Sequence, residues 1–311
     1  MTGASGMVGR NLLADPRAGG HDILAPDRTR LDLLDGVACQ DFLARERPDL
    51  VIHLAAVVGG VQTQIDAPVV FLAENLAIAV NLLGAARRAG VARLINLGSS
   101  CMYPRDRDGA LTEDLLLSGP LETTNEGYAV AKIAAWKLTQ AYGRETSGVT
   151  WRTLIPPNLY GPHDRFDPLR SHLIAAAILK IETARRHGDE AVDIWGDGTA
   201  RREFLYAGDL ADFLWRFHDR LELLPETMNV GVGDDASVED YYRAAARALG
   251  WNGRFINDLA RPVGVLRKRL DVTAQARLGW RPPTHLAGGL AATTAWYRSA
   301  PETQAAGGGP S

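Results

Sequence analysis

Short apolar runs separated by amphipathic stretches fill the first half of the chain. HDILAP (21–26), LVIHLAA (50–56), RLINLGS (93–99) and VTWRTLIPP (149–157) read as buried strands. Between them, residues 37–47, 71–90 and 128–146 carry apolar side chains at helical spacing. Strand and helix in alternation imply right-handed crossovers and a parallel sheet covered on both faces. The fold expected is α/β, a doubly wound parallel sheet over residues 1–157 with a return segment at about 203–222. After Pro157 the pattern loosens into loops rich in Gly, Pro and Arg, with shorter helices expected at 171–187, 209–221, 237–250 and 285–298. Residues 158–202 and 223–300 are read as a smaller C-terminal lobe, and 301–311 (PETQAAGGGPS) as a disordered tail.

TGASGMVGRNLL (2–13) sets Gly3, Gly6 and Gly9 just ahead of a helix-like run. Glycines so spaced permit a tight turn, close approach to a pyrophosphate and tight helix packing, and the helix start favours the anion. The sheet is therefore expected to be of the Rossmann type, binding a dinucleotide. A buried strand normally precedes such a turn, yet Met1 lies only two residues before Gly3, so the first strand is expected to be missing. A lost start carrying about five to eight apolar residues is the favoured explanation, because an empty slot leaves strand edges unpaired. The next strand ends in APDRTR, with no acidic residue at its tip to hold a ribose 2′-hydroxyl. Arg28 and Arg30 can instead meet a 2′-phosphate, which favours NADP over NAD.

Tyr128 and Lys132 stand four residues apart on one helix face. An ammonium beside a phenol lowers its pKa, and the pair can move a proton on a carbonyl oxygen as hydride arrives at carbon. Ser99 and Ser100 close the preceding strand, at the rim where open α/β sheets bind ligands. Cys101 follows, where a small buried hydrophobe is the ordinary role. A thiol there could also exchange a proton with a carbon acid, with His172 as the candidate for the opposite face.

Composition narrows this little. Of 311 residues, 46% are hydrophobic and 23% charged, and the net charge of −3 points to no nucleic-acid partner. Cys39 and Cys101 cannot form a disulfide framework and have no zinc spacing, so no metal is expected and the setting is read as reducing and cytoplasmic. No signal peptide and no apolar run of about 18 residues are found, so no membrane partner is expected.

A resemblance sharpens the reading. HLAAVVGGV (53–61), LGSSCMYP (97–104), TNEGYAVAKIA (124–134), NLYGPHDRFDP (158–168), SHLIAA (171–176), WGDGTARREFLY (195–206), NVGVG (229–233) and RKRLDV (267–272) resemble, in order, signatures of the GDP-L-fucose synthases. These are epimerase/reductases of the extended short-chain dehydrogenase/reductase family. The resemblance implies NADPH-dependent 3,5-epimerisation and 4-reduction of GDP-4-keto-6-deoxy-D-mannose. It implies that Cys101 and His172 are the acid/base pair for C3 and C5, that Tyr128 gives the proton at C4, and that Lys132 tunes it. Ser99 would hydrogen-bond the ketone. It implies a cofactor site of Gly3, Gly6, Met7, Val8, Gly9, Arg28, Leu54, Ala55, Leu97, Gly98, Ser99, Ser100, Lys132, Pro156, Pro157, Asn158, Leu159 and His172. Lys180, Trp195, Arg202 and Lys268 would hold the nucleotide sugar. A homodimer through 71–90 and 128–146 is also implied.

Four positions depart from the family pattern. Lys180 replaces an arginine, Val263 an acidic residue, Gly127 a proline and Pro157 a threonine or serine. Two of these fall in the substrate lobe, so an epimerase-only or reductase-only enzyme acting on a related nucleotide-linked keto-hexose or heptose is an alternative. A non-catalytic dinucleotide-fold binding protein is a second, favoured by the missing strand.

Overall fold

After the glycine turn the chain forms α1 (Met7–Ala14), α2 (Gly36–Glu46), β1 (Leu50–His53), α3 (Val61–Asp66), α4 (Pro68–Arg88), β2 (Arg93–Leu97), α5 (Glu126–Glu145) and β3 (Thr150–Ile155). The computed structural model describes residues 1–299 except 106, 108, 169, 262 and 263, so Val263 and the expected tail from 301 lie outside the described residues. Local chemistry fixes several element ends. Asp35 accepts hydrogen bonds from the N–H groups of Val37 and Ala38 and so starts α2. Pro68 presets the backbone at the first turn of α4.

The second half adds β4 (Asn158–Tyr160), α6 (Leu173–His187), β5 (Ala191–Trp195), β6 (Arg201–Arg202), β7 (Phe204–Tyr206), α7 (Ala207–Phe217) and β8 (Thr227–Asn229). It closes with β9 (Ala236–Ser237), α8 (Val238–Leu249), β10 (Arg254–Asp258), β11 (Arg267–Lys268), α9 (Thr273–Arg277) and α10 (Leu286–Ser299). Strands β1, β2, β3 and β8 form one sheet in that order, and every pairing in it is parallel. Leu82, Leu83, Leu94 and Trp151 share the core on one side of this sheet, while Ile95, Leu154, Phe213 and Met228 share another. A further core, with Tyr160, Ile174, Ile178, Ile194 and Tyr241, forms under α6 and α8. Residues 204–217 return to pack on α1, where the Trp215 indole donates to the Leu12 carbonyl at 2.9 Å. The chain is therefore a Rossmann-type α/β protein.

Two expectations need correction. Residues 21–26 form no strand. A strand needs a neighbour for its ladder, and here the adjoining segment is Met1 and Thr2. Thr2 makes one isolated parallel bridge to His53, and the Met1 ammonium donates to the Leu24 carbonyl at 2.7 Å. The apolar count also needs amendment. Helix α4 is long and apolar enough to cross a membrane, but half of that window is buried inside the fold, where it packs between α2 and α5. It is a core helix.

Gly127 has a packing reason to lack a side chain. A Cβ there would lie 2.9 Å from the Pro68 carbonyl oxygen and 3.2 Å from the Leu72 Cβ, so α5 starts hard against α4. Alanine gains about 1 kcal/mol of helix propensity over glycine, whereas overpacking costs about 1–3 kcal/mol. With backbone as the obstacle, the clash wins. Gly127→Ala is expected to lower the urea midpoint and to disturb Tyr128 next door. A midpoint equal to or above the parent's contradicts this packing account.

Candidate active site

A cleft of about 1060 Å³ runs along the carboxyl ends of the sheet strands, where open α/β sheets bind ligands. Its lining includes Asp27, Arg28 and Leu31, the glycine turn, Leu54–Gly59, and Ser99, Cys101, Tyr128, Lys132 and His172. Gly3 has φ 69°, and a Cβ on it would meet the Ala55 nitrogen at 2.6 Å. A Cβ on Gly9 would lie 2.5 Å from the Gly3 carbonyl oxygen, so turn and helix touch only because Gly9 has no side chain. Around Gly6 the nearest such contact is 3.4 Å away, and no side chain caps α1. This leaves a cradle of backbone N–H groups at a helix start, which suits a pyrophosphate. The cleft and its cradle fit a dinucleotide.

Nearly all residues expected at the cofactor lie on this wall: Gly3, Gly6, Met7, Val8, Gly9, Arg28, Leu54, Ala55, Leu97, Gly98, Ser99, Lys132, Pro156, Pro157, Asn158, Leu159 and His172. Ser100 does not. It is 2% exposed, and its N–H is bonded to the Pro156 carbonyl at 3.0 Å. Arg30 is also off the wall. Arg28 pairs only loosely with Asp32, at 3.7 Å between exposed groups, a contact worth about 0–1 kcal/mol.

The reactive side chains sit at the ends of β2 and the start of α5. Beyond Leu97 the chain enters a short helical turn, Ser100–Met102, capped by Ser99, whose Oγ accepts from the Cys101 N–H at 3.2 Å. The Ser99 hydroxyl also lies beside the Tyr128 phenol and acts to lower its pKa. One helical turn on, Lys132 lies with its Nζ 5.8 Å from the Tyr128 ring centre and donates to the Leu97 carbonyl at 2.8 Å. The expected drop in the Tyr128 pKa is not found. Burial and the neighbouring Cys101 push the phenol above its usual range, outweighing the lowering effect of Ser99. Burial equally pushes the Lys132 ammonium down, to about 8. Desolvation disfavours both charged forms and dominates here.

A stability test follows from Lys132, which is 6% exposed. The unfolded chain keeps this lysine charged to about pH 10.4, whereas the folded chain releases its proton near 8. The charge therefore penalises folding in full below pH 8, and the penalty fades as pH rises towards the unfolded value. Lys132→Met is expected to gain about 1–3 kcal/mol at neutral pH, with the gain shrinking towards zero in alkaline solution. Urea titrations at pH 7 and pH 10 measure it; a variant less stable than the parent at pH 7 contradicts the assignment.

Cys101 and His172 face the same cleft. The Asn125 Nδ2 donates to the Cys101 sulfur at 3.3 Å. His172 sits at the start of α6 without capping it, and burial lowers its pKa. The four residues expected at the nucleotide sugar lie outside the cleft lining. Lys180 reaches Asp193 at 2.6 Å and lies 5.5 Å from the Trp195 ring centre, on which Arg261 also stacks at 4.9 Å. Arg202 and Lys268 are register partners in β6 and β11, and the half-buried Arg202 guanidinium lies near Glu122 and Cys101.

Other wall residues escaped the sequence reading. His163, at φ 68°, packs its ring on Trp296 at 4.9 Å, and burial pushes the neighbouring Asp164 carboxyl up to about 7. Both fall in the GPHDRFDP segment, a visible signal. Trp296 and Tyr297 reach the wall from α10 through tertiary packing alone. Among the described residues no cluster of His, Cys, Asp and Glu could hold a metal.

The model for the NAD dependent epimerase/dehydratase family matches residues 1–231. A GDP-L-fucose synthase of Azorhizobium caulinodans is 48% identical over 297 residues, covering 96% of this chain and 95% of the relative. A GDP-L-colitose synthase of Yersinia pseudotuberculosis is 45% identical over 297 residues, covering 96% of each chain. Among solved structures, a Naegleria fowleri GDP-L-fucose synthetase bound to NADP is similar at a TM-score of 0.84 and 26% identity, covering 96% of this chain and 94% of that one.

Proposed function

Because the chain belongs to the NAD dependent epimerase/dehydratase family, we propose that it is an NADPH-dependent epimerase/reductase. It converts GDP-4-keto-6-deoxy-D-mannose to GDP-L-fucose by inverting C3 and C5 and then reducing C4. The observation that carries this reading is the meeting of Ser99, Cys101, Tyr128, Lys132 and His172 in a cleft that also holds the glycine cradle.

The C–H bonds at C3 and C5 are acidic because both flank the C4 ketone. Inverting each needs a base on one face and an acid on the other, the roles proposed for Cys101 and His172. The ketone then survives to be reduced, so one site serves both halves. The glycine turn and the Leu97–Ser99 wall would hold NADPH, which would supply the hydride. Tyr128 gives the proton to the C4 oxygen, and a phenol whose pKa is raised by burial keeps that proton until an alkoxide develops. Ser99, beside Tyr128, holds the same oxygen. Lys132 fixes the phenol from one turn away and reaches the nicotinamide ribose. Arg28 meets the 2′-phosphate, while Trp195, Lys180, Arg202 and Lys268 hold the nucleotide sugar from the adjoining lobe.

A screen of GDP-, dTDP-, UDP- and ADP-linked 4-keto sugars with NADPH and NADH tests this. The expected result is turnover with the GDP-linked 6-deoxy sugar and NADPH. No turnover with that pair sinks the reading. The similarity to a protein named GDP-L-colitose synthase supports a second reading, a GDP-linked keto-sugar of another kind, which the same screen separates.

The working form proposed is a cytoplasmic homodimer formed through α4 and α5, because Val69, Val80 and Val130 on these helices are exposed. Light scattering at twice the 33.6 kDa chain mass is expected; the mass of one chain contradicts it.

A further inference from the structure

Asn125 occupies the N-cap of α5, three residues before Tyr128. Asparagine at that position ordinarily turns its side chain back onto the free N–H groups of the first turn. Here it makes no capping bond. Its Nδ2 instead donates to the Cys101 sulfur at 3.3 Å, and its Oδ1 is buried with no protein partner. The side chain thus forgoes two stabilising arrangements, a cap and a satisfied carbonyl, for one contact with sulfur. Local sacrifices of this kind concentrate where function overrides stability.

Building on the acid/base role of Cys101, we propose that Asn125 is its positioning residue, holding the sulfur toward the substrate and stabilising it as the thiolate. The chemistry of the contact argues for this. A thiol is a weak acceptor, whereas an ionised sulfur takes a strong charge-assisted bond from an amide N–H. Other groups lie near the same sulfur: the Arg202 guanidinium from β6 and the Tyr128 phenol from α5. Glu122, just ahead of Asn125, offsets part of the Arg202 field. Asn125 is the neutral donor in direct contact. A half-turn of its amide brings Oδ1 to the sulfur as acceptor for S–H, so one side chain serves the thiol and the thiolate in alternation.

Asn125→Asp separates this role from a structural one. Aspartate is an equally good or better N-cap and suits a helix start, so a merely structural Asn125 predicts a stable, active variant. A positioning Asn125 predicts loss, because a donor has become a negatively charged acceptor against sulfur. The full-length protein is treated with iodoacetamide at neutral pH and Cys101 modification is followed by peptide mass. Buried Cys39 reports any unfolding. The expected result is a fall of about 10- to 100-fold in Cys101 alkylation. The rate of deuterium exchange at C3 and C5 of the GDP-keto-sugar falls in parallel, with NADPH affinity unchanged. Asn125→Ala is read the same way should the Asp variant expose Cys39. Alkylation and exchange within twofold of the parent in the folded variant overturn the inference. Reduced alkylation in the variant, with no exchange by the parent, supports the Asn125–Cys101 pairing and instead sinks the acid/base role of Cys101.

Discussion

Tyr128→Phe is expected to lose NADPH oxidation by about 10²- to 10⁴-fold, the usual worth of a positioned proton donor, while deuterium exchange at C3 and C5 continues. The hydroxyl is the only group removed. It lies beside Ser99 at the end of β2, and burial keeps it protonated. Hydride arriving at C4 needs that proton, because an alkoxide left in a desolvated cleft is costly. Exchange at C3 and C5 makes no demand on Tyr128 in this scheme. Stopped-flow absorbance for NADPH and mass spectrometry for exchange read the two halves separately. Equal loss of both means that Tyr128 serves the site as a whole rather than the reduction.

Cys101→Ser is the complementary experiment, with an expected fall of about 10²- to 10⁴-fold in exchange. A serine hydroxyl ionises far less readily than a thiol near neutrality, so the substitution preserves shape and removes the acid/base. The Cys101 N–H bond to Ser99 is made by the backbone and survives, so cofactor affinity is expected to hold within a few-fold. Reduction falls too if epimerisation must precede it, but the uninverted keto-sugar can still be reduced directly to a different 6-deoxyhexose. Detecting that product places Cys101 in epimerisation alone. Unchanged exchange in this variant refutes its role.

The sequence could reveal whatever was local. Strand, helix and glycine turn announce themselves by period and composition, and Ser99, Cys101, Tyr128 and Lys132 lie at element ends that such patterns locate. What depended on a partner elsewhere was hidden. Residues 21–26 have the composition of a strand but not the neighbour that would make them one. The direction of the Tyr128 pKa could not be read from its spacing to Lys132, because burial acts on both groups and outweighs their attraction. Trp296 joins the cleft wall from α10, more than a hundred residues from the other reactive groups. Asn125 went unread in the sequence, because its contact with sulfur depends on the fold bringing the start of α5 against the end of β2.

In the mechanism proposed, one cleft first exchanges hydrogens at C3 and C5 and then reduces C4. The most direct measurement incubates the protein with GDP-4-keto-6-deoxy-D-mannose in D2O, without and then with NADPH, followed by mass spectrometry. Two deuterium atoms are expected in the keto-sugar before NADPH is added, and afterwards one NADPH consumed per GDP-L-fucose formed. NADPH consumption with no deuterium at C3 or C5 would contradict it.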